Sequence, residues 1–238
     1  MPGSRAREQA VKHVFVTGGT GYMGRRLILL LQRRGHKITA VVREGSQWKV
    51  PGGCEVILAD VLDRTTWERH LRPSHTLVHL VGVPHPSPSK ALEFVDIDLR
   101  SAREAILAEH NARIELFVYV SAAQPAPVMK SYVMVRAACE AAIRKAGLNA
   151  TVLRPWYVVG PGQWWPLALV PFYKFAEIVP WTSDGAKRLG LVTLNEMTAA
   201  LAHAVENPAA GMKIVDVPAI RAIAKAGSGS IPRINPKE

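Results

Sequence analysis

The stretch VFVTGGTGYMG, residues 14–24, decides the fold of this chain. Its first residues are apolar and favour a buried strand, and the pattern Gly18-x-x-Gly21-x-x-Gly24 follows at once. The next residues, YMGRRLILLLQRRG, have the periodicity of an amphipathic helix that ends at Gly35. A strand that turns through glycines into a helix is the first unit of a doubly wound α/β fold.

Short apolar runs and helical patterns alternate from this unit to about residue 155. We predict further strands in KITAVV, CEVILAD, HTLVHLVG, ELFVYVS and NATVLRP, and a last one in MKIVDVP. Strands as apolar as these are buried on both faces, as in a parallel sheet that is covered by helices. The predicted fold class is therefore α/β, a doubly wound, Rossmann-like parallel sheet with a small C-terminal substrate lobe.

Two helical patterns predict which side chains are buried. In a helix over roughly residues 89–110, the spacing places one set of side chains toward the core: Leu92, Val95, Leu99, Ala102 and Ile106. In a later helix, Tyr132 and Arg136 share an apolar face, whereas Glu140 and Arg144 would form an ion pair on the solvent side. Because an unpaired buried charge is costly, Arg136 needs a partner. We favour a bound cofactor together with Tyr132 over an ion pair inside the fold.

The glycine stretch also predicts a ligand. Glycines permit a tight turn and let the backbone approach a pyrophosphate, whose charge meets the N–H groups and dipole at the start of the helix. The alternative is a strand-to-helix turn that binds nothing. On the first interpretation, a dinucleotide contacts Thr17, Gly18, Thr20, Gly21, Tyr22, Met23 and Gly24.

The residues after the second strand bear on which dinucleotide binds. A carboxylate about 20 residues after the glycines suits the ribose 2′-hydroxyl of NAD, whereas an arginine suits the 2′-phosphate of NADP. This chain has Arg43 at that place, followed by Ser46 and Lys49, with Glu44 as the one argument for NAD. We therefore favour NADP(H) over NAD(H). The alternative is that Arg43 is a solvated surface charge.

Two further strand ends are candidate cofactor contacts. Asp60, beside Val61, is placed either to accept from the adenine amino group or to cap a helix that begins near Asp63. Val81 and Gly82 end the fourth strand, at the crevice where ligands of open α/β sheets bind.

With these motifs, roughly residues 12–216 resemble the short-chain dehydrogenase/reductase superfamily. The resemblance is carried by Thr17-Gly18-x-x-Gly21-x-x-Gly24, Asp60-Val61, Ser121, Tyr132-x-x-x-Arg136 and LRPWYVVGPG, which contains Pro155. The glycine pattern and the last segment resemble the atypical and extended branches, which include NAD(P)H-binding NmrA-like and complex-I-associated proteins. The resemblance implies that Pro155 also lines the cofactor site.

The resemblance also implies three catalytic roles. Active members use a tyrosine as acid/base, and Tyr132 matches it. They use a lysine four residues later to bind the nicotinamide ribose and to lower the tyrosine pKa. Arg136 stands there instead; it is permanently charged, has a planar fork and cannot relay protons. Ser121 matches the residue that polarises the substrate carbonyl, although Ala122 and Ala123 fill the positions where the family usually has its Ser or Thr.

We predict a single domain with a dinucleotide-binding core over residues 12–155, a substrate lobe over 156–216 interleaved with it, and a flexible tail over 217–238. The lobe is rich in aromatic residues and suits an apolar quinone, isoprenoid, sterol or aromatic carbonyl. Core packing, a dimer interface or protein partner, and a peripheral membrane contact are the alternatives. The candidate substrate contacts are Trp156, Trp164, Trp165 and Phe172.

Composition limits the other classes of function. The net charge of +11 is spread along the chain without interleaved aromatics, so we expect no nucleic-acid partner. The two cysteines lie in apolar surroundings and favour a reducing compartment. The N-terminus lacks the apolar region of a signal peptide, and prolines interrupt the uncharged run from Pro155 to Tyr173, so we expect a cytoplasmic protein without a membrane span. The histidines show no metal-ligand spacing.

Two functions remain open at this level. The first is an NADP(H)-dependent oxidoreductase that acts on an apolar carbonyl or quinone-like substrate. The second is a non-catalytic NAD(P)H-binding redox sensor or assembly protein, which the arginine in place of lysine favours. A nucleotide-sugar epimerase or dehydratase fits less well, because the C-terminal lobe is short and apolar.

Overall fold

The structure is a computed structural model that describes residues 10–126, 128–162 and 190–227. The strands are β1 (His13–Thr17), β2 (Lys37–Val42), β3 (Glu55–Leu58), β4 (His75–His79), β5 (Leu116–Val120), β6 (Ala150–Arg154), β7 (Tyr157–Val159), β8 (Leu191–Thr193) and β9 (Met212–Asp216). The helices are α1 (Tyr22–Arg33), α2, α3 (Lys130–Lys145), α4 (Leu194–Glu206) and α5 (Val217–Gly227). Helix α2 is continuous through Ala91–Glu93, a π-helical stretch Phe94–Leu99, and Arg100–Ala112.

Seven of these strands form one parallel sheet in the order β3-β2-β1-β4-β5-β6-β9. This order confirms the predicted doubly wound, Rossmann-like fold. The order of the strands reverses at β1, which pairs with β2 on one side and with β4 on the other. Thr17 and His79, the last residues of β1 and β4, lie opposite each other there. A ligand crevice is expected at the carboxyl ends of these two strands.

Alternate residues of β1 enter two different apolar layers. Val14 and Val16 pack into a core with side chains of α1, α4 and α5. Phe15 points the other way and packs into a second core, which α2, α3 and the fully buried Trp67 complete. Both faces of the sheet are therefore covered, as the uninterrupted apolar strands predict.

The buried face of α2 differs from the predicted one. Leu92 is 80% exposed and Val95 46% exposed, while Phe94 and Asp98 are fully buried in their place. The prediction assumed 3.6 residues per turn throughout, whereas Phe94–Leu99 is π-helical and has a wider spacing. Beyond this stretch the prediction holds, because Ala102 and Ile106 are buried.

The C-terminal region also departs from expectation. Residues 217–227 were predicted to belong to a flexible tail, but they form α5, whose Val217, Ile220 and Ala224 are buried. These three side chains recur at helical spacing, and Val217 and Ile220 pack in one core with side chains of α4, which explains why the segment is ordered. Residues 228–238 lie outside the described residues.

Part of the expected substrate lobe belongs to the main body. Helix α4 packs on α1, and β9 completes the large sheet, while β7 and β8 form a separate parallel pair. Residues 163–189 lie outside the described residues, and so do the candidate substrate contacts Trp164, Trp165 and Phe172. Among the described residues, no helix has the length and apolar character needed to cross a bilayer.

Candidate functional site

A cavity of about 560 Å³ opens at the carboxyl ends of β1, β4 and β5. Five segments wall it: the glycine loop with the start of α1, residues 80–86, Val120 with Ser121, Met129 with the start of α3, and residues 155–158. Predicted site residues that line it are Gly18, Gly21, Tyr22, Met23, Gly24, Val81, Gly82, Ser121, Tyr132, Arg136, Pro155 and Trp156. The fold thus collects at one place residues that are more than a hundred positions apart in the sequence.

The glycine loop forms a tight cradle against the end of β4. Gly18 has a left-handed φ of +78°, and a Cβ there would lie 2.7 Å from the backbone carbon of Leu80. A Cβ on Gly24 would overlap the carbonyl oxygen of Gly18. These two glycines are therefore required by the turn itself and by the close approach of α1.

The start of α1 is suited to an anion. Gly21 is its N-cap, no side chain in the described part of the chain caps it, and its first turn has no acidic residue. The first N–H groups of a helix have no partner within the helix, and the helix dipole favours negative charge there. The residues present thus fit the pyrophosphate of a dinucleotide, which would lie along this loop.

Thr17 and Thr20 lie outside the cavity wall. The Thr17 hydroxyl is buried and shares a 2.8 Å hydrogen bond with Nδ1 of His79. Burial, and next the positive charge of Arg136, lower the pKa of His79 to about 3, so its imidazole is neutral. The Thr17 hydroxyl is therefore bonded to His79 and does not make the ligand contact that was predicted for it.

The candidates at the distal end of the cofactor also lie outside the cavity wall. Arg43 is exposed in the loop that follows β2, and Ser46 lies in the same loop. Asp60 is exposed, and its carboxylate accepts from the backbone N–H of Leu62 at 2.9 Å. Asp63, rather than Asp60, caps the short helix Arg64–Thr66. The alternative cap role for Asp60 is therefore wrong, and its adenine role stays a prediction, as does that of Val61.

Tyr132 and Arg136 are stacked, as their helical spacing predicts. The guanidinium carbon of Arg136 lies 5.2 Å from the centre of the half-buried Tyr132 ring. The edge of that ring also meets Phe94 of the π-helical stretch at a centroid distance of 5.1 Å. The phenol thus faces the cavity from a ring that is held on two sides.

The fold itself pairs the Arg136 guanidinium. One terminal nitrogen donates to the Tyr119 hydroxyl at 3.1 Å and to the Val120 carbonyl at 3.0 Å. The other forms a buried ion pair with the carboxylate of Asp98. The ion pair inside the fold, which was the alternative, is therefore present, and the stacked Tyr132 ring is a partner as predicted, while a contact of this charge with a bound cofactor stays a prediction. Asp98 was missed because its place on α2 depends on the π-helical stretch.

Ser121 is bound to a second buried carboxylate. Its hydroxyl donates to Glu140 at 2.5 Å, and the side-chain amide of Gln124 donates to the same oxygen at 2.6 Å. Glu140 also forms an ion pair with Arg154 and is 2% exposed, so the predicted solvent-facing pair with Arg144 is wrong. Since the Ser121 proton points at Glu140, its oxygen can only accept from a group in the cavity.

Sequence reasoning also missed strained and unpaired groups in the wall. His85 and Met129 line the cavity with left-handed φ values of 49° and 56°, which non-glycine residues adopt at a cost. The Tyr22 hydroxyl is buried and has no hydrogen-bond partner among the described residues. A Cβ on Gly160 would lie 2.5 Å from that hydroxyl. Such features concentrate at ligand sites.

Comparison with known proteins gives a consistent family. A model described as the NAD dependent epimerase/dehydratase family matches residues 14–133. The chain is 25% identical over 202 residues to a protein named ceramide reductase from Caulobacter vibrioides, which covers 84% of this chain. It is 32% identical over 109 residues, 45% of this chain, to a 4-hydroxy-2-methyl-3-oxo-4-farnesyl-3,4-dihydroquinoline-1-oxide ketoreductase from Stigmatella aurantiaca.

Among solved structures, the Bordetella bronchiseptica enzyme WbmH in complex with NAD+ has a TM-score of 0.65. It is 20% identical to this chain, and the match covers 95% of this chain and 84% of that one, which shows a shared fold. The chain spans 62% of the length of the ceramide reductase and 32% of the length of the ketoreductase.

Proposed function

This chain belongs to the NAD-dependent epimerase/dehydratase family of extended short-chain dehydrogenases/reductases, and from that premise we propose that it is an NADP(H)-dependent oxidoreductase acting on an apolar carbonyl or quinone-like substrate. The observation that carries the proposal is the Tyr132 ring, which lines a cavity of about 560 Å³ next to the glycine loop. A phenol at that place can exchange a proton with a substrate that lies in the same cavity.

The cofactor would lie between the glycine loop and the ends of β4 and β5. Gly21 and the following residues of α1 would hold the pyrophosphate, and Val81 and Gly82 would line the middle of the cofactor site. A bound nicotinamide supplies or accepts a hydride. Arg43 supports NADP(H), because it follows β2 and its side chain is exposed to any 2′-phosphate.

Tyr132 would act as the proton donor in the reducing direction. Its O–H bond breaks, the proton passes to the substrate oxygen, and the phenolate that remains regains a proton from water. Ser121 would hold the ligand by accepting a hydrogen bond from it, because its own proton goes to Glu140. The carbonyl-polarising role that the resemblance implied for Ser121 would require this bond to rearrange.

The cavity wall supports an apolar substrate. Beside the backbone of the loop it presents Met129, Trp156 and Tyr157, and the two aromatic rings pack edge to face at 5.5 Å. The names of the two relatives, a ceramide reductase and a ketoreductase of a farnesylated quinoline, refer to substrates with long apolar chains.

The second candidate function is binding of NAD(P)H without turnover. It is favoured by one observation: the Ser121 hydroxyl donates to Glu140, and the terminal nitrogens of Arg136 are paired inside the fold with Asp98, Tyr119 and Val120. A protein of this kind would bind the dinucleotide and transmit its redox state to a partner. The two candidates differ in whether NADPH is consumed.

The test combines binding and turnover. NADPH and NADH are titrated by fluorescence, and NADPH oxidation is then followed with farnesylated quinones and long-chain ketones as substrates. The oxidoreductase predicts turnover that falls by about 100-fold or more in Tyr132→Phe, the size typical of a lost general acid, while NADPH binding is retained. Binding without turnover by the unaltered protein would leave the non-catalytic candidate. No binding of either dinucleotide would exclude both.

A further inference from the structure

A pair of opposite charges is buried under the floor of the cavity. Asp98 is 0% exposed and Arg136 is 5% exposed, and the two side chains form an ion pair between α2 and α3. A Cβ on Gly82 would overlap a terminal nitrogen of Arg136, so the guanidinium lies directly against the cavity wall. A larger residue at this place would have to displace the end of the arginine side chain.

The Asp98 carboxylate holds two parts of the site at once. One oxygen is paired with Arg136, and the other accepts from the backbone N–H of Val83 at 2.9 Å. Val83 belongs to the loop of residues 80–86 that walls the cavity. The carboxylate therefore fixes both the cation beside Tyr132 and the loop across from it.

The surrounding groups leave this pair as the dominant buried charge near Tyr132. His79, whose pKa is about 3, is neutral, and Tyr119 is a buried phenol that accepts from Arg136. Burial raises the pKa of the Asp98 carboxyl, and Arg136 beside it opposes that rise. The charged or titratable side chains that share a cavity with Tyr132 are Lys130, His85, Tyr22, Tyr157 and Arg136.

We propose that Asp98 is a positioning residue that compensates the charge of Arg136 and so limits the effect of the guanidinium on the ionisation of Tyr132. The negative charge of the carboxylate offsets most of the electric field that the guanidinium would otherwise exert on Tyr132, whose ring centre lies 5.2 Å from the guanidinium carbon. Arg136 therefore orients the ring by a cation–π contact. The proposal rests on the proposed function, which gives Tyr132 the role of acid.

The π-helical stretch explains how a carboxylate reaches this place. It buries Phe94 and Asp98 together on one side of α2, so that Phe94 contacts the Tyr132 ring while Asp98 contacts Arg136. Insertions of this kind in helices are frequent at functional sites. The same stretch thus positions both partners of the Tyr132–Arg136 stack.

The test follows the ionisation of Tyr132 without substrate or cofactor. The five tyrosines are labelled with ¹³C at the ring carbon that bears the hydroxyl, and Tyr132→Phe assigns the Tyr132 resonance during a pH titration. In Asp98→Asn the titration midpoint of Tyr132 is expected to move to lower pH by about one unit, because the guanidinium is no longer compensated. An unchanged midpoint in this variant would overturn the proposal.

Two further variants serve as controls for the titration of Asp98→Asn. Glu109→Gln makes the same chemical change at another buried carboxylate of α2 and is expected to leave the Tyr132 midpoint where it is. Asp98→Leu/Arg136→Met removes both charges. It is expected to fold even where Asp98→Asn does not, because apolar replacements of a buried ion pair are often tolerated, and to leave the Tyr132 midpoint unchanged. A rise of one unit or more in the double variant would mean that Arg136 acts on Tyr132 despite Asp98, which contradicts the proposal. These readouts need no turnover, so a failed substrate screen does not affect them.

Discussion

At the scale of single residues, Arg136 shows why arginine and lysine are not interchangeable here. Its guanidinium meets three acceptors in different directions, on Asp98, Tyr119 and Val120. A planar fork of five N–H donors fits such a set, whereas a lysine ammonium is a compact charge on a flexible stem. The arginine is therefore matched to the interior of this fold, and its contact with Tyr132 is one part of that arrangement.

Arg43 decides the choice of dinucleotide in our proposal. If it binds the 2′-phosphate, Arg43→Ala should weaken NADPH binding by about tenfold or more, which is about 1.4 kcal/mol, and leave NADH binding unchanged. Fluorescence titration with both dinucleotides measures the difference. The neighbouring variant Glu44→Gln is the control, since it removes a charge from the same loop without weakening NADPH. Equal loss for NADPH and NADH in Arg43→Ala would contradict the assignment.

The glycine loop yields a prediction about stability. A Cβ on Gly24 would meet the backbone of Gly18 and Gly19, so Gly24→Ala must separate α1 from the loop. We expect it to lower the free energy of unfolding by about 2 kcal/mol or more, as overpacking against the backbone does. Gly52→Ala is the matched control, because in the described structure a Cβ there has open space around it. Urea unfolding of both variants gives the comparison, and equal stability would show that the loop adapts.

At the scale of elements, most strands could be predicted because their signal is local. The predicted KITAVV coincides with β2, Lys37–Val42, and the other apolar runs contain their strands with at most a few extra residues. Each such run is apolar because helices cover both faces of the sheet. The glycine turn into α1 is likewise encoded in adjacent residues.

The elements that sequence reasoning missed depend on contacts between distant segments. The π-helical stretch brings Asp98 to Arg136, 38 positions away along the chain. The burial of Glu140 depends on Ser121, which follows β5, and on Arg154, which ends β6. Helical spacing alone assigns Glu140 to solvent, because it cannot register partners that a neighbouring strand supplies. Local sequence patterns therefore could not predict the buried ion pairs and hydrogen bonds of the site.

The N-terminal cap of α4 tests whether adjacent residues alone determine where a helix begins. Thr193 accepts from the backbone N–H of Glu196 at 3.1 Å, and Glu196 accepts from the backbone N–H of Thr193 at 2.7 Å, which is a capping box. Thr193→Ala should lower the free energy of unfolding by about 1 kcal/mol, the usual cost of a lost N-cap. Glu196→Ala and the double variant complete a cycle in denaturant unfolding. The two losses should be less than additive, because each variant already breaks the reciprocal pair.

At the scale of the whole molecule, the two layers that cover the sheet differ in chemistry. The layer of α1, α4 and α5 is built around aliphatic side chains such as Leu27 and Leu201. The layer of α2 and α3 holds, among its apolar side chains, the buried ion pair of Asp98 and Arg136 and the buried His79, whose ring stacks near Phe117 and Tyr119. The layer of α2 and α3 therefore supplies the buried charged groups of the site, while the start of α1, in the aliphatic layer, supplies part of the cavity wall.

Glu109, in the layer of α2 and α3, makes the stability of the whole molecule depend on pH. It is 4% exposed, one of its carboxylate oxygens has no partner among the described residues, and burial raises its pKa from 4.5 to about 7. Between pH 4.5 and about 7 the folded state then binds more protons than the unfolded state at this group, so stability falls as pH rises through that window.

In Glu109→Gln this loss should disappear. Relative to the unaltered protein, the variant should gain up to about 3 kcal/mol of unfolding free energy at pH 8 and little at pH 4. Urea unfolding at a series of pH values measures the difference. Glu93→Gln, the same change at an exposed position of α2, should show no such trend. A pH-independent difference between Glu109→Gln and the unaltered protein would mean that Glu109 finds a partner or water when it ionises.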